Sequence, residues 1–325
     1  MKTIKKFLSY ARPEDVIVVI FLFAAAVFIV PRGHQRLVFA SVIPKQIIFA
    51  FVTVWFLYAI IIAVLFSAAS FFFYERIKKD SSNSPVSIST GFLKEILKIT
   101  RDFSSFIICI GIYSALTAII PFVNTGVEDN FLAMFDFLCF GLNPFIWCQQ
   151  FANPSLTKVL SFCYWSYFVT SPLLAAMLYV FGNKRMFRNL MLALVISALA
   201  AYTGYMLVPA VGPQYVLRHL YAIEWTTALV TPPLPNLFKV NAQIARDCFP
   251  SLHTAWTVIT FYYCWKWKKI LAIIYLPVAA GLIIATIYFA YHYFVDIPAG
   301  VLTGVISVYL AGEINHFWKH KISGF

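Results

Sequence analysis

The chain has 325 residues, of which 61% are hydrophobic and 12% charged, and its 25 lysines and arginines outnumber its 13 acidic residues. An ordinary soluble domain is roughly half apolar and about a quarter charged, so the composition excludes a soluble protein and indicates a polytopic membrane protein. The basic residues fall in short runs between apolar segments, an arrangement that gives no support to nucleic-acid binding.

Eight apolar stretches have the composition of membrane-spanning helices, which need about 20 apolar residues. The first and the sixth are short for that purpose. Together they predict an all-α polytopic membrane protein with about eight transmembrane helices, at Val16–Val30, Ile47–Tyr74, Phe103–Phe122, Leu156–Phe181, Asn189–Val208, Leu252–Trp265, Ile270–Tyr291 and Ile297–Phe317.

A polar, serine-rich stretch, Lys78–Gly91, divides the predicted helices into two groups. Its composition is typical of a flexible linker. The sequence therefore predicts an N-terminal transmembrane hairpin with its linker at 1–91 and a six-helix bundle at 92–325. The N-terminal residues are too polar for a cleavable signal peptide, so the first helix is expected to be retained.

The positions of the lysines and arginines predict the orientation in the membrane. Every second loop is basic, whereas the loop Val123–Ser155 has no lysine or arginine and Pro209–Pro250 has few for its length. Because basic loops stay in the cytoplasm, both termini are predicted to be cytoplasmic and these two loops to face the outer (periplasmic, extracellular or luminal) side. One loop disagrees with this pattern, because it is predicted to be external but contains Arg32, Arg36 and Lys45. The first span is therefore the least secure of the eight.

The external segments contain two further features. Asp129–Gln150 combines aromatic and polar residues, which is typical of an element lying partly in the membrane interface. Three cysteines fall in external segments, where the sequence leaves a disulfide open without specifying its connectivity: Cys139, Cys148 and Cys248.

The start of the last span carries a histidine and an aspartate, His292 and Asp296. On a helix this spacing places two side chains on one face. The carboxylate can then accept a hydrogen bond from one imidazole nitrogen and leave the other to act as a base or nucleophile. Alternatively, Asp296 only caps the last span, with Pro298 in its first turn.

The start of the sixth span carries Ser251 and His253 in the stretch FPSLH. A helix start offers unpaired backbone N–H groups that favour an anion, and the serine hydroxyl adds a donor. The predicted topology brings this stretch and His292 to the same outer face. Ionisable residues at the membrane edge are costly and are candidates for function.

Three stretches resemble the signature regions of a known family: Tyr205–Tyr215 (YMLVPAVGPQY), Pro250–His253 (PSLH) and His292–Asp296 (HYFVD). In this order and spacing they resemble the type-2 phosphatidic acid phosphatase superfamily, and most of all its inositol phosphorylceramide synthase-like branch. The resemblance covers roughly Leu156–Phe317, about half of the chain, and leaves the N-terminal hairpin outside.

The resemblance implies a membrane enzyme that acts on a lipid phosphate without a metal or cofactor, with the six-helix bundle as its catalytic domain. His292 would be the nucleophile that forms a phosphohistidine, Asp296 would orient it, and His253 would protonate the leaving oxygen. Ser251 and nearby backbone amides would hold the phosphoryl oxygens. Transfer of the phospho-group to an alcohol, as in a lipid headgroup phosphotransferase, is favoured over transfer to water, as in a lipid phosphatase.

The sequence departs from the superfamily pattern in its basic residues. The usual serine-arginine pair before the nucleophilic histidine is Ala285 and Thr286 here, and the glycine of the Pro-Ser-Gly-His motif is Leu252. The Lys…Arg-Pro motif is also missing, since Ala201 and Val208 stand at its basic positions. Electrostatic stabilisation supplies much of the catalysis in phosphoryl transfer, so the positive charge must come from elsewhere.

Four residues are candidates for substrate binding on the predicted outer face. Arg246 precedes PSLH and Arg218 follows GPQY, and either could neutralise a phosphoryl group or bind lipid headgroups at the surface. Gln214 and Tyr215 could donate hydrogen bonds to the substrate or serve as turn and aromatic-belt residues.

Two other classes of protein compete with this interpretation. Two histidines and a carboxylate could bind a metal ion as a facial triad, in which case EDTA would remove the activity. The same residues could form a proton relay in a transporter, although they are predicted near one face rather than at mid-membrane. The expected partners are a membrane lipid phosphate and an alcohol or lipid acceptor, and no pattern specifies an oligomeric state.

Overall fold

The structure is a computed structural model and describes residues 12–29, 98–113, 116, 120–121, 124–181, 183–220 and 245–321. Within these ranges the regular elements are helices, joined by one isolated β-bridge between Ala210 and Asp247. The all-α prediction is therefore confirmed for the described residues. In chain order the helices are α1 Pro13–Ile29, α2 at 98–113, α3 Asp129–Phe140, α4 Pro144–Gln149, α5 Pro154–Trp165, α6 Tyr167–Val180, α7 Lys184–Leu207, α8 Pro213–Val216, α9 Leu252–Trp267, α10 Lys269–Tyr288 and α11 Asp296–Lys321, with a 3₁₀ turn at Arg218–Leu220.

The apolar helices support an integral membrane protein, but the described residues do not confirm the predicted number of spans. Among the described residues, α7, α10 and α11 are long and apolar enough to cross a membrane, and the bent pair α5–α6 makes a fourth if it is one span. The helices α1 and α9, with 17 and 16 residues, correspond to the two spans predicted to be short. The predicted span Ile47–Tyr74 lies outside the described residues, so the count of eight is not confirmed.

The predicted span Leu156–Phe181 is broken into α5 and α6, which meet at an angle of 43°. Asn153 accepts a hydrogen bond from the Leu156 N–H and caps α5 at its start. At the break, the Ser166 hydroxyl donates to the Cys163 carbonyl at 2.6 Å. Pro172 in α6 has no N–H to bond to the preceding turn, which weakens the helix near the break. Hydropathy alone does not detect such a bend.

Helix α7 lies at the centre of the described bundle. Its apolar residues are buried on all sides, with Leu190, Leu192, Leu194 and Val195 fully inaccessible to solvent. A helix that is apolar all round is expected in the middle of a membrane bundle rather than at its surface. The helices α1, α6, α9 and α11 pack around it. Helix α9, which carries His253, and helix α11, which follows His292, therefore have a common packing partner.

Two glycines on α11 allow it to approach α9 closely. A Cβ atom on Gly300 would lie 2.4 Å from the Ser251 carbonyl oxygen, and one on Gly304 would lie 2.8 Å from the Ala255 carbonyl oxygen. Small residues four apart are a common device for close helix packing in membranes. The close approach sets the start of α9, with His253, beside the start of α11.

We expect Gly300→Ala to destabilise the protein by about 1–3 kcal/mol, because the added methyl group overlaps backbone atoms that cannot move independently. Gly312→Ala, on the same helix, is the matched control, since a Cβ there meets nothing within 4 Å. Thermal unfolding in detergent should show a lower midpoint for Gly300→Ala and no decrease for Gly312→Ala. Equal midpoints would contradict the close packing of α11 on α9.

The first helix is tied to the bundle by charged side chains at its N-terminal end. Three ion pairs join α1 to α2 and α7: Arg12 with Asp102, Asp15 with Arg101, and Glu14 with Arg188. The helix α1 therefore packs on helices of the predicted second domain. The predicted boundary at residue 91 itself lies outside the described residues.

The charged end of the bundle and the predicted site lie at opposite ends of α11. Near its C-terminal end, Asn315 donates to Asn189 at the beginning of α7, close to Arg188. Its first residue, Asp296, is roughly 30 Å away along the helix. The end of the bundle near Arg188 and the candidate site are therefore separated by roughly the 30 Å thickness of a hydrocarbon core.

Candidate active site

The predicted pair of His292 and Asp296 is formed, but by a turn rather than along a helix. Helix α11 begins at Asp296, and His292 lies in the preceding loop. The His292 Nδ1 atom lies 3.1 Å from Asp296 Oδ2, and the Tyr293 N–H donates to the same oxygen at 2.9 Å. The carboxylate thus contacts the loop that precedes α11.

The second predicted histidine meets the first across the α9–α11 contact. His253 Nδ1 lies 3.3 Å from His292 Nε2, while Asp296 contacts the other ring nitrogen of His292. The three predicted catalytic side chains therefore form one chain of contacts from two helix starts. A phosphoryl group can approach His292 Nε2 only by replacing the contact with His253.

This geometry argues against the alternative that His253, His292 and Asp296 together bind a metal ion. His253 and Asp296 contact opposite nitrogens of the His292 ring. One ion cannot bind both nitrogens of one imidazole, so these three residues do not form the facial triad considered from the sequence.

Ser251 lies at the start of α9 and is fully buried. Its Oγ accepts from the Thr254 N–H at 3.3 Å and from the Thr254 hydroxyl at 3.2 Å, and its N–H donates to the Asp296 carbonyl at 3.1 Å. The hydroxyl oxygen accepts both bonds from Thr254, which leaves the hydroxyl hydrogen for another acceptor. The serine therefore caps α9 and links it to α11.

Aromatic rings enclose His253 on one side. The centroids of Tyr164 and Tyr167 lie 4.9 and 4.3 Å from the His253 ring, and Tyr291 packs against Tyr164 at 4.8 Å. Trp256 stacks on Tyr167 at 5.3 Å. These rings come from α5, α6, α9 and the loop before α11, and they restrict the access of water to the imidazole.

Cys248 is part of the site, which the sequence did not predict. Its Sγ lies 3.0 Å from Asp296 Oδ2, 3.3 Å from the Tyr291 carbonyl and 3.6 Å from His292 Nδ1. Burial raises the pKa of the Cys248 thiol, so the group is an S–H donor to the carboxylate. The disulfide left open in the sequence is not formed, since Cys139, Cys148 and Cys248 are all free thiols.

Two buried aspartates of α3 hold the loops around the site, and the sequence did not identify either as a site residue. Asp129 accepts from the N–H groups of Val211 and Gly212 and from the Tyr293 hydroxyl, at 2.9–3.0 Å. Asp136 accepts from the N–H groups before α11, at 2.7 and 3.1 Å. Burial raises the pKa of Asp136 to about 6, and those two N–H groups partly oppose the shift.

The opposite face of α3 is apolar and exposed. Its exposed residues include Phe131, Met134, Phe135, Phe137 and Leu138. A helix with buried acids on one face and exposed large apolar residues on the other suits the membrane interface. Helix α3 therefore has the two-faced character of an interfacial helix, and the location of Asp129–Gln150 in the membrane interface stays a prediction.

We expect Asp129→Ala to destabilise the protein by about 3 kcal/mol, because it leaves three buried donors without their acceptor. The substitution should also lower turnover, because Asp129 binds the hydroxyl of Tyr293, the residue that directly follows His292. Glu128→Ala is the matched control, because the neighbouring side chain is exposed. Unfolding midpoints and turnover of the two variants check this, and equal values would contradict a structural role for Asp129.

The other four predicted substrate-binding residues differ in their placement. The Arg246 Nη1 group donates at 3.1 Å to three carbonyls of the loop before α3, those of residues 124, 125 and 126. Arg218 is exposed in the 3₁₀ turn, Tyr215 is exposed on α8, and Gln214 is half-buried there. Arg246 is thus bound by backbone carbonyls, whereas the other three lie on α8 and on the 3₁₀ turn that follows it.

The start of α8 is held by backbone contacts against the loop that precedes α11. The Gln214 N–H donates to the Ala290 carbonyl at 2.8 Å. Gly212 has a φ of 96°, and a Cβ there would lie 2.9 Å from the Tyr291 carbonyl oxygen. Only glycine combines this backbone angle with such a close approach, which explains the glycine of the GPQY stretch.

Asp247 connects α2 to the site. Its carboxylate accepts a hydrogen bond from the Tyr113 hydroxyl, and its backbone pairs with Ala210. The residue before Cys248 is therefore fixed by other parts of the bundle.

The comparisons with known proteins give one match. A family model described as the PAP2 superfamily matches residues 138–310, slightly more than half of the chain. The matched range includes Ser251, His253, His292 and Asp296. No curated protein and no solved structure matches the chain significantly.

Proposed function

Because the chain belongs to the PAP2 superfamily, we propose that it is a membrane enzyme that breaks a lipid phosphoester through a covalent histidine intermediate. Membership supports a phosphatase or phosphotransferase type of activity. The observation that carries the finer proposal is the contact of 3.3 Å between His292 Nε2 and His253 Nδ1, with Asp296 on the other side of His292. A nucleophile, an acid and an orienting carboxylate are the groups that this reaction needs.

In the first step, the lone pair of His292 Nε2 attacks phosphorus, and the bond from phosphorus to the leaving oxygen breaks. Asp296 accepts a hydrogen bond from the N–H at Nδ1, which keeps the lone pair on Nε2 and stabilises the positive charge that develops on the ring. His253 enters protonated and gives its proton to the leaving oxygen. The products are a phosphohistidine and an alcohol.

In the second step, His253 removes a proton from the acceptor hydroxyl, which attacks phosphorus and releases His292. We propose an alcohol as the acceptor, because the rings of Tyr164, Tyr167 and Tyr291 restrict water around His253. Transfer to water by the same residues is the alternative. A proton-coupled transporter would use the residues differently and predicts no phosphate product.

The phosphoryl oxygens need positive partial charge in place of the arginines usual in the superfamily. The first-turn N–H groups of α9, at Leu252 and His253, have no acceptor within the helix, and the helix dipole favours an anion at this end. The Ser251 hydroxyl adds a donor beside them. We propose that these groups hold the phosphoryl oxygens, with Arg218, Gln214 and Tyr215 at the entrance.

An apolar groove beside the site supports a lipid substrate. It lies at the beginning of α11 and is lined by Phe294, Ile297, Pro298, Val301, Leu302 and Val305. Phe294 follows closely on His292, so a headgroup at the histidines leaves the acyl chains near this groove. The substrate would thus enter from the membrane rather than from water.

The assay that tests the acceptor uses purified protein with a radiolabelled lipid phosphate in mixed micelles, with and without an added alcohol or second lipid. We expect a new labelled lipid that requires the acceptor, and little free phosphate. Stoichiometric free phosphate without a new lipid would contradict transfer and leave hydrolysis. The absence of both products would contradict the phosphoryl chemistry altogether.

A further inference from the structure

The contacts on the Nδ1 side of His292 form a cluster of three ligand types that the proposed reaction does not need together. Cys248 Sγ, His292 Nδ1 and Asp296 Oδ2 lie 3.0, 3.1 and 3.6 Å from one another. Zinc binds sulfur at about 2.3 Å and nitrogen or oxygen at about 2.0–2.2 Å in tetrahedral geometry, which separates ligand atoms by about 3.3–3.6 Å. The three atoms therefore already form nearly one face of a zinc tetrahedron.

A second observation points to a cation at the same place. Asp296 Oδ1 is buried and has no hydrogen-bond partner within the described part of the chain. A buried carboxylate oxygen without a partner is costly. An ion bound by this carboxylate would stabilise that oxygen by its charge.

The charges and ligand types favour one class of ion. A divalent cation with one thiolate, one carboxylate and a neutral imidazole has zero net charge, which suits a buried site. Sulfur and nitrogen ligands select zinc and similar thiophilic metals over magnesium or calcium. The Tyr291 carbonyl, 3.3 Å from Sγ, lies next to the cluster.

We infer that Cys248, His292 and Asp296 form a binding site for Zn²⁺ or a similar thiophilic cation, and that occupation of this site switches the enzyme off. The inhibitory part rests on the proposed function of His292. Binding releases the thiol proton to solvent and places the metal on the Nδ1 lone pair. The proton of the neutral imidazole is then on Nε2. The protonated Nε2 has no free lone pair with which to attack phosphorus.

The site can be tested by spectroscopy without any measurement of activity. Full-length protein in detergent, freed of metal, is titrated with Co²⁺, which reports its ligands by absorption. We expect a thiolate-to-cobalt charge-transfer band that saturates with one ion per chain and that Zn²⁺ removes by competition. Cys248→Ser, which keeps a donor to Asp296, should weaken binding at least about 100-fold. Cys139→Ser, which changes an exposed thiol, should bind as wild type.

The absence of a thiolate band in wild type, or the same band in Cys248→Ser, would overturn the site. If Cys248→Ser does not fold, zinc-edge X-ray absorption of the wild-type protein decides the question. The site predicts one sulfur ligand with nitrogen and oxygen ligands, and a shell without sulfur would overturn it.

Inhibition is measured separately with Zn²⁺ at the concentration that displaces Co²⁺. We expect loss of turnover in the wild type and in Cys139→Ser, with recovery on addition of EDTA. Spectroscopic binding without loss of turnover would leave the metal site standing and contradict the switch, whereas the turnover of His292→Ala decides the nucleophilic role of His292 separately. Loss of turnover equal in Cys248→Ser would contradict inhibition through this site.

Discussion

Replacement of His292 by alanine is expected to lower turnover of a lipid phosphate by at least about 10⁴-fold. The imidazole is the only group in the proposed mechanism that bonds to phosphorus, so no partial reaction remains when it is removed. The side chain contacts His253, Cys248 and Asp296 at the edge of the bundle. Insertion into the membrane should be unaffected, because the helices themselves are unchanged.

The matched control for this variant is His316→Ala, which removes a histidine near the opposite end of α11. Initial rates of product formation by the two purified variants, with equal amounts of folded protein, check the expectation. Wild-type turnover in His292→Ala would show that another group attacks phosphorus. A similar loss in His316→Ala would point to a general effect on the protein.

Replacement of His253 by alanine is expected to lower turnover by about 10²–10⁴-fold with an alkyl phosphate ester, because the leaving alkoxide then departs without a proton. The loss should depend on the leaving group. With a nitrophenyl phosphate, whose leaving group needs no proton, the variant should still release one equivalent of nitrophenol in a rapid burst. Steady-state turnover should remain slow, because deprotonation of the acceptor also needs His253.

Stopped-flow absorption of nitrophenol measures the burst and the steady state in one experiment. The burst should vanish in His292→Ala, which makes that variant the internal control. If His253→Ala lost the burst as completely as His292→Ala, a role of His253 as the acid would be contradicted. A stacking role between Tyr164 and the site would then explain its position better.

The candidate catalytic residues could be identified from the sequence because each lies in a short local pattern. Ser251 and His253 share one helix start, and His292 and Asp296 share one turn. The alternation of basic loops predicted that both groups lie at one end of the bundle, and the structure brings them into contact. The spacing argument for His292 and Asp296 used helical geometry, whereas the structure makes the same contact through a turn.

The supporting residues could not be found in this way because their contacts connect distant parts of the chain. Asp129 and Asp136 bind loops that follow more than 80 residues later. Their one local signal was the presence of two acids in an aromatic segment, which also fits an ordinary interfacial helix. Cys248 looked like a small external cysteine, and only the fold places it against Asp296.

The predicted span boundaries were inaccurate for a different reason. Hydropathy counts apolar residues and does not register a bend, so α5 and α6 were predicted as one span.

The positions of Arg246 and Arg218 along the chain suggested a role in charge neutralisation. The backbone carbonyls that engage Arg246 come from the loop at residues 124–126, which no local pattern links to it.

The formation of a covalent adduct on His292 is the most direct test of the proposed mechanism. His253→Ala protein is mixed with a nitrophenyl phosphate, quenched without acid, digested and analysed by mass spectrometry. We predict one phosphoryl group per chain, on the peptide that contains His292, and none in the double variant His253→Ala/His292→Ala. A phosphoryl group on Ser251 or Cys248 instead, or a full burst of nitrophenol with no adduct, would contradict the account.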